Sequence, residues 1–369
     1  MQRSTDSPRE RLDGVARIAV VRPSAIGDFA FALPALAAIR AAYPHAHIVY
    51  LGRRWHREFL DGRPGPIDET LELPSIPGVG APPGAACDPE RIDAFVETMQ
   101  ARRFDLALQW YGGGGYANPF VRRLGARCTA GLRAEGAAPL DRWLAYEPWR
   151  NERLRLLEAA ALVGAPPTDL APRLAVTASD RRRLRERWTA PDAPLAVLQP
   201  GATDARRRWP AERFAAVGDA LAEAGAAVAV NGAAGESTLV AQVIAAMRTP
   251  ATNLYDLPLP ALAALLERAS VLVSNDTGPL HLAHAIGTPS VGVFWLPNLL
   301  SGQPLFVAEL RFAFSTQTDC PICGVRNMRT RCEHDASYVD QVTLDEVRAL
   351  ALERFTNGRP ASERAPAPT

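Results

Sequence analysis

Short apolar runs alternate with amphipathic stretches along most of this chain, and that alternation predicts strand–helix–strand units of a parallel sheet. RIAVV reads as a buried strand, FAFALPALAAIRAAYP as a helix that Pro34 opens or kinks and Pro44 ends, and HIVYLG as the next strand. A Pro- and Gly-rich stretch over 62–89 holds one further strand, TLEL. RIDAFVETMQARR then has helical period, FDLALQW runs straight into YGGGGYANP, RCTAGL is a candidate strand, and NERLRLLEAAALVG is a helix capped by Asn151.

The pattern changes over 166–194, where prolines flank SDRRRLRERW, a charge run of the kind that makes a solvated helix face. Alternation restarts with LAVLQ, the loop PGATDARRRWP, the helix AERFAAVGDALAEAG, AVAVNG, and the helices ESTLVAQVIAAM and LPALAALLERAS. The strongest unit is VLVSNDTGPLHLAHAIGTPSVGVFW over 271–295. There Pro279 suits the first helical position, Asp276 or Thr277 can cap, and Gly287 stops the helix. Periodicity is poor over 296–340, and TLDEVRALALERF is a last helix. The reading is therefore an α/β chain of two doubly wound domains, 15–175 and 192–357, with a boundary at 175–192 and disorder expected over 1–14 and 358–369.

Composition narrows the function. At 369 residues, with 47% hydrophobic and 22% charged residues, the chain has the make-up of a soluble globular protein. A net charge of +1 argues against a nucleic-acid face built from excess charge. There is no lysine, which excludes Schiff-base lysine chemistry and a Walker lysine and leaves arginine and backbone N–H groups to hold any phosphate. No run approaches the ~20 apolar residues of a membrane span, and the polar start MQRSTDSPRERLDG carries no secretory pattern, so a cytoplasmic location is expected. Five thinly spread cysteines agree with a reducing compartment.

Three loops at expected carboxyl edges supply chemistry: Asp28 after the first strand, Thr203 with Arg206, Arg207 and Arg208, and Asp276, Thr277 and Gly278. Arginine and helix N-termini can clamp an anionic donor, and a carboxylate can act as general base on an acceptor hydroxyl. No DxD occurs, so no divalent ion is expected for the transfer, and GxGxxG after the first strand and GxSxG are both missing. His281 and His284, one helical turn apart, read by themselves as packing residues. On the acceptor side, Arg53, Arg54, Arg57 and the glycines Gly113 and Gly114 are weak candidates beside the plain reading of solvated arginines and a flexible loop. CPICGVRNMRTRCEH carries Cys320, Cys323, Cys332 and His334; CxxC is a good half of a zinc site, but the CxH half is unusually tight, and packed thiols are the default.

Taken in order, RPSAIGD with PALAAIRAAYPHAHI, FDLALQW with GARCTAGL, LQPGATDARRRWP, NGAAGE and SNDTGPLHLAHAIGTPSVGVFW resemble glycosyltransferase family 9, the bacterial heptosyltransferases of lipopolysaccharide core assembly. The similarity runs over 17–349. It implies a GT-B fold, two Rossmann-like domains facing across a cleft, with an acceptor-binding first domain and a second domain that binds a nucleotide sugar, usually ADP-heptose. Transfer in the family is inverting and metal-independent. By position, the family's catalytic aspartate matches Asp28, its phosphate-binding lysine matches Arg207, and Thr203 holds the preceding hydroxyl position. Glu236 is the looser match for the ribose contact, Asp276, Thr277 and Gly278 match the DTG contacts, and His281 follows at the family spacing. The implied partners are a nucleotide-sugar donor and a lipid-linked saccharide acceptor, with peripheral contact at the inner membrane and no cofactor. A nucleotide-sugar epimerase or hydrolase, or a non-catalytic binding protein on the same plan, are the alternatives.

Overall fold

RIAVV is β1 (Arg17–Val21), with Ile18, Ala19, Val20 and Val21 fully buried, as a central parallel strand covered on both faces requires. The computed structural model describes residues 10–306, 308, 310–328 and 330–357. They form two compact units that meet between Ala171 and Pro172. The ends 1–9 and 358–369, expected to be disordered, lie outside the described residues. At residues 10 and 13 the backbone is tied down: Arg142 Nη1 donates to Glu10 O at 3.0 Å and Arg127 Nη2 to Asp13 O at 2.6 Å.

In the first unit β1 is followed by α1 (Ile26–Ala42), β2 (His47–Gly52), α2 (Arg54–Leu60), β3 (Glu69–Glu72) and α3 (Pro89–Ala101). Then come β4 (Leu106–Gln109), α4 (Ala117–Arg123), β5 (Cys128–Arg133), β6 (Arg142–Ala145) and α5 (Glu152–Ala161). The six strands pair in parallel in the order β3-β2-β1-β4-β5-β6. Pro34 lies inside α1 and does not open it, since the helix already begins at Ile26.

The second unit repeats the plan. After α6 (Ala178–Arg185) come β7 (Leu195–Gln199), α7 (Ala211–Glu223), β8 (Ala227–Val230), α8 (Ser237–Ala246), β9 (Ala251–Asn253) and α9 (Leu259–Arg268). They lead into β10 (Ala269–Asn275), α10 (Gly278–Ile286), β11 (Ser290–Trp295), α11 (Leu296–Gly302), β12 (Leu310–Ser315) and α12 (Leu344–Asn357). These strands are also all parallel, in the order β9-β8-β7-β10-β11-β12. The charged stretch that carries α6 joins this unit ahead of the expected boundary. Thr177 caps α6, accepting from Asp180 N at 3.2 Å, and Arg181 pairs with Glu267 at the end of α9 at 2.6 Å.

Both sheets thus have the Rossmann order, in which the winding reverses between β1 and β4 and again between β7 and β10. At such a reversal the loops leaving the carboxyl ends diverge and open a crevice. Asp28, the glycine loop, Thr203 with Arg207, and the DTG turn all follow these four strands. Beneath the second crevice the core packs Trp209, Phe214, Val271, Val273 and Val293 against Val347 and Ala351 of α12.

Candidate active site

In the second unit the last residue of β10 sets the geometry. The buried Asn275 accepts from Trp209 N through Oδ1 at 3.1 Å and donates from Nδ2 to Pro200 O at 2.7 Å, so one amide spans both ends of the loop after β7. Trp209 is itself buried and donates from Nε1 to Val342 O at 2.9 Å. The three arginines between these anchors separate by role. Arg206 folds onto Asp204 at 2.6 Å and lies over the rings of Trp295 and Tyr338, at 5.2 and 5.8 Å from their centres. Arg208 donates to Ala202 O at 2.9 Å. Only Arg207 reaches across to the next loop, where Nη1 donates to Asp276 O at 3.2 Å and to Asp276 Oδ2 at 3.4 Å. Its Nε and Nη2 donate to no described residue, which leaves a guanidinium edge for an anion.

Asp276 is buried and shared. His281 Nε2 stands 2.8 Å from Oδ1 while Arg207 holds Oδ2. Burial pushes this carboxyl up, but His281 and then Arg207 outweigh it and hold it below the usual aspartate range. Because Asp276 is committed in this way, it does not cap α10. Thr277 is the N-cap residue, without a side-chain hydrogen bond to the helix, Pro279 lies one position further in than expected, and Gly287 ends the helix in the left-handed region at φ 91°. The first turn of α10 therefore turns its positive end toward Arg207's side of the crevice. Thr203 is exposed on the loop after β7.

Glu236 follows β8 and lies against the same loop. Its Oε2 accepts from Ala233 N at 2.8 Å, and a Cβ built on Gly201 would fall 2.0 Å from that oxygen. Only glycine at 201 lets the carboxylate sit there.

In the first unit Asp28 occupies the first turn of α1, half-buried. No described residue donates to its carboxylate; its support acts on the main chain. The buried Arg22 gives Nε and Nη2 to Asp28 O at 3.0 and 2.8 Å, Nη1 to Trp110 O, and Nη2 to Glu152 Oε1 at 3.1 Å. Glu152 also holds Arg155 at 2.5 Å. Burial works against the Arg22 charge, but Glu152 and then Asp28 offset it, so the guanidinium holds its proton more tightly than usual.

The weaker acceptor candidates have partners. Arg53 is exposed and donates to Pro23 O at 2.8 Å, Arg54 pairs with Glu58 at 2.6 Å, and Arg57 approaches Glu72 at 3.9 Å. The glycines after β4 admit the protein's own chain. A Cβ on Gly113 would meet Ala134 at 2.8 Å, and one on Gly114, at φ +84°, would meet Asn118 Oδ1 at 2.3 Å.

Cys320, Cys323, Cys332 and His334 do not scatter as separately packed thiols. Their ligand atoms all lie within 4.8 Å of one another. The CxH spacing that reads as unusually tight in the sequence lies on irregular backbone, which brings Cys332 and His334 to the same point.

The profile of glycosyltransferase family 9 (heptosyltransferase) matches residues 92–304, more than half of the chain and the whole of the Arg207, Glu236 and DTG loops. The chain belongs to glycosyltransferase family 9. As a family 9 member it is a glycosyltransferase, and transfer takes precedence over the epimerase, hydrolase and non-catalytic alternatives. It is 24% identical to lipopolysaccharide heptosyltransferase 2 of Salmonella typhimurium over 75% of this chain and 82% of that protein. In fold it is similar to a family 9 glycosyltransferase from Veillonella parvula, with a TM-score of 0.78 at 20% identity over 95% of this chain and 100% of that one. It is also similar to ADP-heptose lipopolysaccharide heptosyltransferase II of E. coli, with a TM-score of 0.72 at 18% identity over 92% of this chain and 98% of that one. The two Rossmann-like units are of the GT-B type.

Within this family 9 chain the structure gathers Thr203, Arg207, Glu236, Asp276, Thr277, Gly278 and His281 at one sheet edge of the second unit, and Asp28, Arg53 and the glycine loop at one edge of the first. Sequence reading missed Arg22, Glu152, Gly201 and Asn275. Gly201 and Asn275 had a weak signal, each flanking a strand end inside a quoted motif; Glu152, remote in sequence, had none.

Proposed function

We propose that this enzyme transfers a heptose from ADP-heptose to a lipopolysaccharide-core saccharide, with inversion and with no divalent ion at the reacting centre. The observation that carries the reading is Arg207, anchored through one nitrogen on the buried Asp276 with its other edge open beside the N-terminus of α10. Such a site suits a diphosphate, whose charge grows as it departs, and fixed donors stabilise that growth without reorganising. Glu236, seated on Gly201, accepts from a ribose hydroxyl, and Thr203 donates to a phosphate oxygen. Asp28 takes the proton of the acceptor hydroxyl as its oxygen attacks the anomeric carbon and ADP leaves, a single displacement that inverts the centre. The names of the relatives supply the sugar and the acceptor class: one is a lipopolysaccharide heptosyltransferase, the other an ADP-heptose lipopolysaccharide heptosyltransferase.

Among the described residues no helix is long and apolar enough to cross a membrane. The proposed setting is the cytoplasmic face of the inner membrane, with peripheral contact to a lipid-linked acceptor. Calorimetric titration of ADP, UDP and GDP, with Mg2+ added and with none, tests the reading. ADP preference independent of Mg2+ is expected. Preference for UDP or GDP would discard ADP-heptose, and a requirement for Mg2+ would discard the metal-free transfer step.

A further inference from the structure

The segment that joins β12 to α12 is packed into the core at Tyr338, Val339 and Val342, but its first half has little to hold it by packing alone. Residues 321–326 are all exposed, Ile322 and Val325 among them, and Cys320 and Asn327 are the buried residues on either side. Connections this long without secondary structure of their own are uncommon in compact domains unless something ties them. What lies at the centre of this one is the set Cys320, Cys323, Cys332 and His334, with Cys320 Sγ 3.7 Å from His334 Nδ1 and all four ligand atoms within 4.8 Å of each other. A tetrahedral ion with metal–sulfur bonds of about 2.3 Å has ligand–ligand edges of about 3.8 Å, so the cluster has the size of a coordination shell.

The backbone between Cys320 and Val325 folds back on itself. Gly324, at φ 71°, turns the chain directly after Cys323, with Gly324 N donating to Cys320 O and Cys320 N to Val325 O, both at 2.9 Å. Cys332 Sγ accepts from Nδ2 of Asn327 at 3.4 Å. Asn327 also accepts from Cys332 N through Oδ1 at 2.9 Å, so one buried amide fixes both the main chain and the sulfur of Cys332, outer support of the kind that metal-bound thiolates use.

We propose that Cys320, Cys323, Cys332 and His334 hold one tetrahedral transition-metal ion, zinc or iron, and that this ion braces the loop carrying Arg207. The bracing path is on either side of that residue. Asn327 Oδ1 accepts from Arg206 Nη1 at 3.3 Å and its Nδ2 donates to Tyr338 Oη at 2.7 Å. Arg331 pairs with Asp204 at 3.5 Å, Tyr338 N donates to Arg206 O at 2.8 Å, and Ser337 Oγ donates to Arg208 O at 2.7 Å. The bracing role rests on the reading of Arg207 as a diphosphate ligand; the metal site does not. Zinc and iron share this tetrahedral thiolate chemistry, and elemental analysis separates them.

The test uses the full chain purified without chelator. Elemental analysis is expected to find about one zinc or iron per chain, and the Cys323→Ser and His334→Ala variants to lose it. Metal-stripped wild type titrated with Co2+ should develop the near-ultraviolet thiolate-to-cobalt band and the intense visible bands of a tetrahedral ion. A metal-free wild type that also gives no such bands would overturn the site. Stripping is expected to raise the Kd for ADP at least several-fold, with zinc or iron restoring it; a loaded and a stripped enzyme of equal ADP affinity would overturn the bracing. A chain that carries its ion but binds no ADP would overturn the donor reading and leave the site standing.

Discussion

His281 Nε2 sits 2.8 Å from Asp276 Oδ1, inside the protein, on the carboxylate whose other oxygen positions Arg207. The histidine is thus a positioning residue for a buried acid. His281→Ala strips that partner and should cost about 1–3 kcal/mol of stability. Thermal unfolding should show a fall of roughly 2–4 °C for each kcal/mol lost, at the size of such a unit. Arg207→Ala leaves Asp276 its histidine, so it should lower the Tm less than His281→Ala does, while raising the Kd for ADP by about 10- to 100-fold. The reverse ranking of the two variants would make Arg207 the structural residue.

Asp28 is held by its carbonyl, through Arg22, and not by its carboxylate. Asp28→Asn should therefore keep the Tm and the ADP affinity of the wild type while kcat falls by about 10²- to 10⁴-fold, the range of general-base loss. Steady-state kinetics alongside calorimetry checks this, and wild-type turnover in the variant would remove Asp28 as the base.

Gly201→Ala places a methyl group where the Glu236 carboxylate lies. The side chain must swing away, so ADP affinity should drop by about an order of magnitude with little change in Tm. Glu236→Ala should produce a similar loss. Since the two act on one contact, the double variant should be no weaker than the worse single; additive losses in calorimetry would show that Gly201 acts otherwise.

His56 is buried between Tyr50, Phe29 and Trp55, and its Nδ1 accepts from Arg53 N at 2.9 Å. Burial, and after it the charge of Arg53, pushes the imidazole down to about 3. The unfolded value is near 6.5, so the folded state keeps His56 neutral while the unfolded state takes up a proton. Its contribution is fully present above about pH 6.5 and is lost as pH falls toward 3. His56→Gln should flatten the fall of unfolding free energy between about pH 6.5 and pH 4 by up to one proton's worth of slope. Parallel curves for wild type and variant would show that His56 is already protonated in the fold.

With the exception of the edge strand β3, found as TLEL, the strands legible in the sequence and those that were not differ in burial. β1, β2, β4, β7, β8, β10 and β11 are buried on both faces and show up as uninterrupted apolar runs. The missed β6, β9 and β12 are sheet edges with partly exposed positions, RWLA, ATN and LRFAFS, whose pairing is decided by the neighbouring strand and not by their own composition. The same division runs through the site. Asp28, Arg207 and the DTG turn stand next to strand ends and were legible by position. Residue pattern alone offered Arg206, Arg207 and Arg208 alike and only the family resemblance picked Arg207, because what separates them is Asp204, Trp295 and Tyr338 capturing Arg206. That the three cysteines and His334 come together was not legible, because spacing says little once the backbone between such residues is irregular.

Arg22's grip on the Asp28 carbonyl has a practical side. An enzyme whose base is steered through its side chain loses the arrangement when the base is replaced, and its stalled complexes describe a distorted site. Here the contact is to the carbonyl, which Asp28→Asn keeps, so the turn of α1 is expected to stay in place. That variant is accordingly the form in which to soak donor and acceptor together: a crystallographic snapshot of both substrates, halted before reaction, on a main chain that has not moved.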